Sequence, residues 1–292
     1  MRRIHFISVL VLAANIYLIF ITWQISSLLT QKYFHLDPQN IYQILTDRNH
    51  NQILSYKNRT NILLIGEGGA GHSGGDLSDT LIVASIPLTK GDHIALLSIP
   101  RDLWIQDIDA KINAAYRLGE EKQTGYGITQ LRQAVSQVTN LPIHYYIKLD
   151  FGIFSQFIDT IGGIDVNIQN SFVDNKFPIP GLENAQPESS RYETISFTSG
   201  TEHMDGSRAL KFVRSRHAEG QQGTDIARSQ RQQQVIKAIR SRLLNPSTWE
   251  NKDRLGNLFQ LIQTSLQTDI SNIAYIQFAS QIPLLMKSTF SS

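Results

Sequence analysis

The chain has 292 residues, and 27 lysines and arginines against 25 aspartates and glutamates give a formal net charge of +2. This length suits one large domain or two small ones, and an apolar content of 41% is enough to bury a core. A nucleic-acid-binding domain is usually more basic. The absence of cysteine excludes a disulfide framework, a thiolate metal site and a cysteine nucleophile.

The N-terminus carries the pattern of a membrane anchor. Arg2 and Arg3 precede residues 6–30, which contain no charged side chain. The run exceeds the roughly 20 residues that a helix needs to cross a bilayer. A cleavable signal peptide is the alternative, but no small-x-small cleavage site precedes Lys32. We therefore predict a single-pass protein of the cell membrane. Residues 1–5 would form a cytoplasmic tail, residues 6–30 the transmembrane anchor, and the rest of the chain would lie outside the cytoplasm.

Short apolar runs mark the start of the globular domain. Residues 31–60 are polar and mixed, which predicts a stalk, and the domain is predicted to run from 61 to 292. Buried strands are predicted at 61–66, 80–86 and 93–99. Because three strands follow one another without an intervening helix, the sheet is not predicted to be a doubly wound parallel sheet.

Helical and extended patterns alternate in the rest of the chain. Further strands are predicted at 143–149 and 164–168, and a long surface loop at 169–197. Helices are predicted at 128–138, 151–161, 205–212, 224–244, 253–268 and 271–285. The mixture predicts a single α/β domain with a mixed central β-sheet and helices on both faces, in three layers.

Positive charge is concentrated in one segment. Nine of the 27 basic residues lie between Arg208 and Arg242, and only Glu219 and Asp225 oppose them. Most are arginine, whose planar fork suits hydrogen bonding to phosphate. A solvated basic surface is the ordinary explanation for such a run, and we accept it for Lys237, Arg240 and Arg242.

The spacing of four arginines indicates a site instead. In an extended segment Arg214 and Arg216 point to one face. On the following helix Arg228, Arg231 and Gln232 form one stripe near its N-terminus, where the helix dipole favours an anion. Like charges held close repel each other unless an anion or an acidic partner completes the cluster. The four arginines are therefore predicted to converge on one anionic group.

A glycine-rich loop follows the first strand. Gly66, Gly68 and Gly71 match the G-x-G-x-x-G pattern of dinucleotide-binding folds, but the loop is followed by a strand and does not open a helix. The Gly-Lys-Ser/Thr of a phosphate-binding loop is also missing. Asp76 and Asp79 remain, and two carboxylates at this spacing can share a hard cation such as Mg²⁺. They can equally form turn hydrogen bonds, and the local pattern leaves both readings open.

Polar residues also follow the third strand. Arg101 and Asp102 end the segment SIPRD, at the position where α/β sheets tend to bind ligands. Lys111 and Asn113 come soon after them. Each of these residues alone is a commonplace surface group.

Several segments together resemble the LytR-CpsA-Psr family of cell-wall ligases. In the family's order they are NILLIG (61–66), LSDT (77–80), SIPRD (98–102), KINAAY (111–116), IGGIDVNI (161–168), ALKFVRSRH (209–217) and ARSQRQQQVIKA (227–238). Each segment is short, but their combination is specific and covers most of residues 61–243. The family typically has one N-terminal anchor and an exported domain.

The resemblance implies a phosphotransferase. Family members move a glycan from a polyprenyl-pyrophosphate lipid to a cell-wall acceptor such as peptidoglycan, releasing polyprenyl phosphate. Carried over by motif, Asp79 holds Mg²⁺ (or Mn²⁺), with Asp79, Arg101, Asp102, Arg214 and Arg216 as the catalytic set. The implied pyrophosphate-binding residues are Arg101, Asn113, Arg214, Arg216, Arg228, Arg231 and Gln232.

The chain departs from the family pattern near the metal. Many members have an aspartate just after the first strand, where this chain reads Gly66-Glu67-Gly68. We therefore assign the second metal ligand to Asp76, with Glu67 in reserve. Leu77 stands where many members have arginine, and Ala227 replaces a glycine.

Other functions are open to the same residues. A non-catalytic module for anionic lipid-linked glycan would use the arginines but gain nothing from the aspartates. A polyprenyl-pyrophosphate phosphatase would use water in place of the acceptor hydroxyl. Nucleic-acid binding is disfavoured, because residues 214–242 contain no aromatic side chain for base stacking.

Overall fold

The structure is a computed structural model that describes residues 53–69, 75–89, 92–271, 274–275, 277–278 and 290–291. The predicted tail (1–5), anchor (6–30) and most of the stalk lie outside these residues. No helix within the described ranges is both long and apolar enough to cross a membrane. The chain divides into two compact units, one of residues 54–269 and 284–292 and the other of residues 1–53 and 270–283. The predicted domain bounds stay a prediction.

The elements follow in chain order. The strands are β1 (Arg59–Glu67), β2 (Ser78–Pro87), β3 (Ile94–Ser98), β4 (Trp104–Ile105), β5 (Ala110–Lys111), β6 (Tyr145–Asp150), β7 (Ile164–Ile168), β8 (Phe172–Pro178), β9 (Tyr192–Phe197), β10 (Gly200–Met204), β11 (Gln267–Thr268) and β12 (Phe290–Ser291). The α-helices are α1 (Ala115–Lys122), α2 (Gly127–Thr139), α3 (Phe151–Thr160), α4 (Gly206–Arg214), α5 (Asp225–Leu244) and α6 (Lys252–Ser265).

Six strands form a mixed central sheet in the order β11-β6-β1-β2-β3-β12. Strands β1 and β6 run parallel, and β2 runs antiparallel to both of its neighbours, β1 and β3. The carboxyl ends of β1, β3 and β6 therefore meet the amino end of β2 at one edge. Three two-stranded sheets, β4–β5, β7–β10 and β8–β9, complete the described strands.

The central sheet is buried on both faces. Leu63 and Val83 belong to a buried cluster with Leu131 and Val135 of α2. From the opposite face of the sheet, Ile82 and its neighbours pack against Ile236 of α5. The nearly continuous apolar sequence of β1 and β2 follows from this double burial. Helices on both faces of a mixed sheet were predicted, and this part of the fold is confirmed.

Side-chain caps mark the starts of helices α4 and α5. The Asp205 side chain accepts a hydrogen bond from the Arg208 amide at the start of α4. The Thr224 side chain accepts one from the Ala227 amide at the start of α5. Both residue types satisfy the free amides of a first helical turn. The two helices that carry the predicted arginines therefore begin where the sequence indicated.

The predicted surface loop at 169–197 is wrong, because β8 and β9 lie within it and pair antiparallel. Phe172, Asp174 and Phe177 of β8 point inward. An inward carboxylate conceals the apolar alternation by which a strand is usually recognised. Phe172 stacks on Phe197 of β9 at a ring-centre distance of 5.0 Å.

Candidate active site

The site lies at the edge where β1 and β3 end and β2 begins. Gly66 of β1 pairs with Thr80 of β2, and a Cβ on Gly66 would lie 3.1 Å from the Thr80 Cβ. This close approach favours glycine. Thr80 Oγ1 accepts a hydrogen bond of 2.9 Å from Gln232 Nε2 of α5. Strand β2 thereby places Asp79, the residue before Thr80, next to helix α5.

Three arginines contact Asp79. Its Oδ1 accepts hydrogen bonds from Arg101 Nη1 and from Arg216 Nη2, the latter at 3.2 Å. Arg228 Nη2, in the first turn of α5, lies 3.4 Å from the main-chain oxygen of Asp79. Arg216 and Arg228 are 137 and 149 residues from Asp79 in sequence. The fold therefore brings predicted site residues from distant segments together.

Arg214, at the end of α4, completes what we call the arginine cluster: Arg101, Arg214, Arg216 and Arg228. The Arg214 guanidinium carbon lies 4.2 Å from the centre of the Phe151 ring. Burial lowers the pKa of Arg214, the Asp79 carboxylate opposes this, and the Arg216 charge lowers the pKa further. Arg214 is therefore attracted electrostatically by the Asp79 carboxylate and makes a cation–π contact with the Phe151 ring.

Three nitrogen donors of the arginine cluster lack a hydrogen-bond acceptor among the described residues. Arg228 Nε and Nη1 and Arg101 Nε are buried and have no hydrogen-bond partner among the described residues, although Asp225 lies 3.4 Å from Arg228 Nη1. Burial, followed by the charge of Arg216, lowers the pKa of Arg228 to about 10, so it is still cationic at neutral pH. An anion with several acceptor oxygens, such as a diphosphate, would satisfy these donors.

Arg231 differs from the cluster because its hydrogen bonds are made within the protein. Its Nε donates to Phe212 O at 3.1 Å, Nη1 to Gln222 O at 2.9 Å and Nη2 to Ser215 O at 2.7 Å. Only 3% of Arg231 is exposed. These bonds give it a structural role that helical spacing did not reveal. Its predicted contact with pyrophosphate stays a prediction.

Asp174 of β8 is a site-supporting residue that the sequence analysis missed. Its fully buried carboxylate accepts hydrogen bonds from Ser215 Oγ at 2.7 Å and from the amides of Arg216 and His217 at 3.1 Å each. The Lys176 amide is a further donor, at 3.0 Å. Asp174 therefore fixes the segment that carries Arg216. Its sequence signal is weak, since aspartate inside a polar stretch usually indicates a turn.

The buried Asp174 carboxylate links stability to pH. Burial alone would raise the pKa of Asp174, but the hydrogen bond from Ser215 and those from three amides outweigh it and hold the pKa below its ordinary value. A group with a lowered folded-state pKa stabilises the protein above its unfolded-state pKa. That contribution is lost as the pH falls below about 4 towards the folded-state value.

The Asp174→Asn variant is expected to unfold more easily at pH 7, by about 1–3 kcal/mol, because one acceptor oxygen replaces two. Its free energy of unfolding is also expected to fall less than that of the wild type below about pH 4. Urea unfolding at both pH values measures each effect. The control is Asp107→Asn, at an exposed carboxylate, and a wild-type pH profile in Asp174→Asn would contradict the assignment.

Asp102 and Asn113 lie beside Arg101. Asp102 Oδ1 accepts a 2.8 Å hydrogen bond from Lys111 Nζ, and its Oδ2 lies 3.5 Å from Arg101 Nε. The Lys111 hydrogen bond is the main cause of the lowered pKa of Asp102. The Asn113 amide donates to the Arg101 carbonyl at 3.2 Å. Both residues are thus placed to orient Arg101.

The two candidates for a second metal ligand face other cations. Asp76 Oδ2 lies 3.8 Å from Arg117 Nε, and its side chain is largely exposed. Glu67 is buried and pairs with Lys148 Nζ at 2.7 Å; burial raises its pKa, and the Lys148 bond opposes the rise. The described parts of the chain contain no group of three histidines or acids placed to hold a metal. The pairing of Asp76 with Asp79 around a metal stays a prediction.

Comparison with known proteins decides the family. The model of the LytR_cpsA_psr family matches residues 28–291. The chain belongs to the LytR-CpsA-Psr family. Polyisoprenyl-teichoic acid–peptidoglycan teichoic acid transferase TagU of Oceanobacillus iheyensis is 32% identical over 227 residues, or 75% of this chain and 62% of that protein. The corresponding transferase TagV of Bacillus subtilis is 31% identical over 61% of this chain and 42% of that protein.

The chain therefore spans less than two thirds of the length of these relatives. The crystal structure of B. subtilis TagV superposes with a TM-score of 0.55 at 25% identity, covering 81% of this chain and 84% of that one. The structure of TagT bound to LI-WTA gives a TM-score of 0.53 at 20% identity and 84% coverage of both chains, which shows the fold alone. The resemblance seen in the sequence and the mixed α/β fold are both confirmed.

Proposed function

We propose that this protein transfers a glycan from a polyprenyl-pyrophosphate lipid to a cell-wall acceptor such as peptidoglycan, with the arginine cluster binding the pyrophosphate and Mg²⁺ or Mn²⁺ assisting. The observation that carries the proposal is the set of guanidinium donors near Asp79 that are buried without a hydrogen-bond partner in the described part of the chain. Its relatives are named as transferases of teichoic acid from a polyisoprenyl carrier to peptidoglycan. Their named substrates belong to the class that this cluster would accept.

The charges explain how the site would promote the reaction. An acceptor hydroxyl attacks the phosphorus that carries the glycan, a new oxygen–phosphorus bond forms, and the bond to the bridging oxygen breaks. The hydroxyl proton passes to solvent water, and polyprenyl phosphate leaves with the electron pair of the broken bond and its negative charge. Arginines fixed before the reaction stabilise this charge without reorganising, and each such contact is typically worth roughly 10²–10³ in rate. Hydrogen bonds to Asp79 fix the positions of the Arg101 and Arg216 guanidinium groups.

Asp79 is the residue that could bind a divalent cation at this site. Its Oδ1 accepts hydrogen bonds from Arg101 and Arg216, whereas its Oδ2 accepts no hydrogen bond from the residues that the structure describes. Mg²⁺ is commonly bound by one or two carboxylates together with substrate phosphates and water. Asp79 would therefore be the residue that holds the ion, and the diphosphate would supply further oxygens. When bound, the ion would add positive charge beside the phosphate oxygens.

The location of the reaction follows from its donor. A polyprenyl chain keeps the substrate in a bilayer, and a cell-wall acceptor lies outside the cytoplasm. The predicted anchor at 6–30 and an extracytoplasmic catalytic domain are therefore part of the proposal. Among the proposed partners are the lipid-linked glycan, the acceptor polymer and the membrane.

Purified full-length protein, given the lipid-linked glycan, is expected to release polyprenyl phosphate only when peptidoglycan is present. Asp79→Asn is expected to lower the transfer rate roughly 10²–10³-fold. The same variant should bind inorganic pyrophosphate without Mg²⁺ more tightly than the wild type, because a neutral amide competes less for Arg101 and Arg216. Calorimetric titration with and without Mg²⁺ measures this binding independently of turnover.

The control is Asp92→Asn, which removes a carboxylate that pairs with Arg59 away from the site. This variant should keep wild-type transfer. Phosphate release without acceptor would identify a phosphatase instead. Transfer by Asp79→Asn at the wild-type rate would rule out metal-assisted catalysis through this carboxylate.

A further inference from the structure

Trp104 is exposed, and it follows Arg101 of the arginine cluster by three residues. Its side chain is 58% accessible, while Ile105 in the same strand is buried. Side chains alternate along a strand, so the burial of Ile105 directs Trp104 outward. Isolated exposed apolar residues are common. The exposure of Trp104 therefore indicates a binding site only in combination with the neighbouring Lys111, Asp102 and Arg101.

A series of polar contacts leads from Lys111, the residue opposite Trp104, to the candidate site. Trp104 of β4 lies directly opposite Lys111 of β5, and opposed residues of an antiparallel pair share one face of the hairpin. Lys111 Nζ donates to Asp102 Oδ1 at 2.8 Å. Asp102 Oδ2 lies 3.5 Å from Arg101 Nε, and Arg101 binds Asp79. The indole ring is therefore a few side chains away from the proposed position of the diphosphate.

The hairpin holds these residues rigidly. Ile105 and Ile112 lie in the buried cluster under the central sheet. The Leu103 carbonyl accepts a 2.7 Å hydrogen bond from the Ile112 amide, and the Arg101 carbonyl accepts one from Asn113. Trp104 is thus presented by a fixed backbone, which lowers the entropy cost of binding a ligand.

The chemistry of Trp104, Lys111 and Asp102 matches a sugar ring. A pyranose has an apolar C–H face, which packs against an aromatic ring, and an edge of hydroxyls that both donate and accept hydrogen bonds. The Lys111 hydrogen bond lowers the pKa of Asp102, so Asp102 is an ionised acceptor, and Lys111 is a donor. A lipid tail would gain nothing from this half-exposed charged pair.

We propose that Trp104, Lys111 and Asp102 form a subsite for a neutral pyranose ring of the glycan. The inference rests on the proposed transferase function and specifies part of its substrate recognition. A sugar stacked on Trp104 would lie beside the arginine cluster. The ring can come from the acceptor or from the lipid-linked donor, and the kinetic experiment below separates the two.

The chain has three tryptophans, so full-length protein with Trp23→Phe and Trp249→Phe reports on Trp104 alone. Titration with β-1,4-linked N-acetylglucosamine tetramer is expected to change its fluorescence emission in a saturable way. The same protein in vesicles of brominated anionic phospholipid is expected to keep its emission. Quenching by the bromolipid without any response to the tetramer would overturn the proposal and identify a membrane contact.

In the otherwise native chain, Trp104→Ala is expected to weaken tetramer binding about tenfold or more, whereas Trp104→Phe keeps most of it. Leu182→Ala, at another exposed apolar residue, is the matched control and should bind like the wild type. Equal affinities of Trp104→Ala and the wild type, with equal melting temperatures, would refute the subsite.

Steady-state transfer then identifies the source of the sugar. Trp104→Ala should raise KM for the acceptor if the acceptor stacks on the ring, or KM for the lipid-linked donor if the donor does. An unchanged KM for both would refute the subsite. Because the tetramer titration contains no lipid carrier and no transfer step, binding by a protein that fails to transfer glycan would refute the proposed function and leave the subsite standing.

Discussion

Replacing Arg228 with leucine is expected to slow glycan transfer roughly 10²–10³-fold while leaving the protein at least as stable as the wild type. The two effects are opposite because Arg228 makes few favourable contacts of its own. Two of its nitrogens are buried without a hydrogen-bond partner among the described residues. Burial and the neighbouring charge of Arg216 both disfavour the cation, and they lower its pKa to about 10.

The gain in stability has a physical basis. A buried donor without a partner costs about 1–3 kcal/mol, and an apolar side chain of similar reach removes that cost. We expect the free energy of unfolding of Arg228→Leu to rise by about 1 kcal/mol, which for a domain of this size raises Tm by about 2–4 °C. Calorimetry and the transfer assay on the same preparation measure both effects.

Arg191→Leu serves as the control for Arg228→Leu. Arg191 lies away from the cluster, where its Nε bonds the Ala185 carbonyl, and its loss should leave transfer unchanged. If Arg228→Leu transferred glycan at the wild-type rate, the proposed role of the arginine cluster in catalysis would be wrong. A marked fall in its stability would show that the buried N–H groups of Arg228 are satisfied in the protein.

The sequence predicted the parts of the fold that have a local signal. The strands around 61–66 and 80–86 are apolar because both faces of the sheet are covered, and the caps Asp205 and Thr224 mark helix starts by their own hydrogen bonds. Predicted helix 253–268 ends earlier, at Ser265, because residues 267–268 join the central sheet as β11. Most of predicted helix 271–285 lies outside the described residues.

Prediction failed where tertiary contacts override the local pattern. Strand β8 carries an inward aspartate that is tolerable only because Ser215 and the amides of residues 216 and 217 satisfy it. These hydrogen-bond donors lie outside residues 169–197, so the sequence of that segment alone could not indicate them. The hairpin β4–β5 was not predicted, because its strands have two residues each and are too short to show the apolar–polar alternation of a strand.

The site was predictable to the extent that its residues lie in motifs. Arg101, Arg216 and Arg228 meet at Asp79 because each follows or begins an element that reaches one edge of the sheet. Helical spacing could not separate Arg228 from Arg231, since both lie on one stripe. The two arginines differ in their hydrogen bonds, because Arg231 alone donates to the carbonyls of Phe212, Ser215 and Gln222.

Arg231→Met is accordingly expected to destabilise the protein by about 3–5 kcal/mol, the opposite of Arg228→Leu. Methionine preserves the apolar part of the side chain but removes the donors to the carbonyls of Phe212, Ser215 and Gln222. It also removes the cation that lies 4.7 Å from the centre of the Phe172 ring. Urea unfolding monitored by circular dichroism measures the loss.

Gln230→Met is the matched control, because this exposed neighbour on the same helix should change stability by no more than about 0.5 kcal/mol. Transfer by Arg231→Met should fall as well, since the Ser215 carbonyl that it binds directly precedes Arg216. Stabilising the folded state with inorganic pyrophosphate should then restore part of the Tm, because the four arginines of the cluster remain. An Arg231→Met protein of wild-type stability that no longer binds pyrophosphate would reverse the assignment and make Arg231 an anion-binding residue.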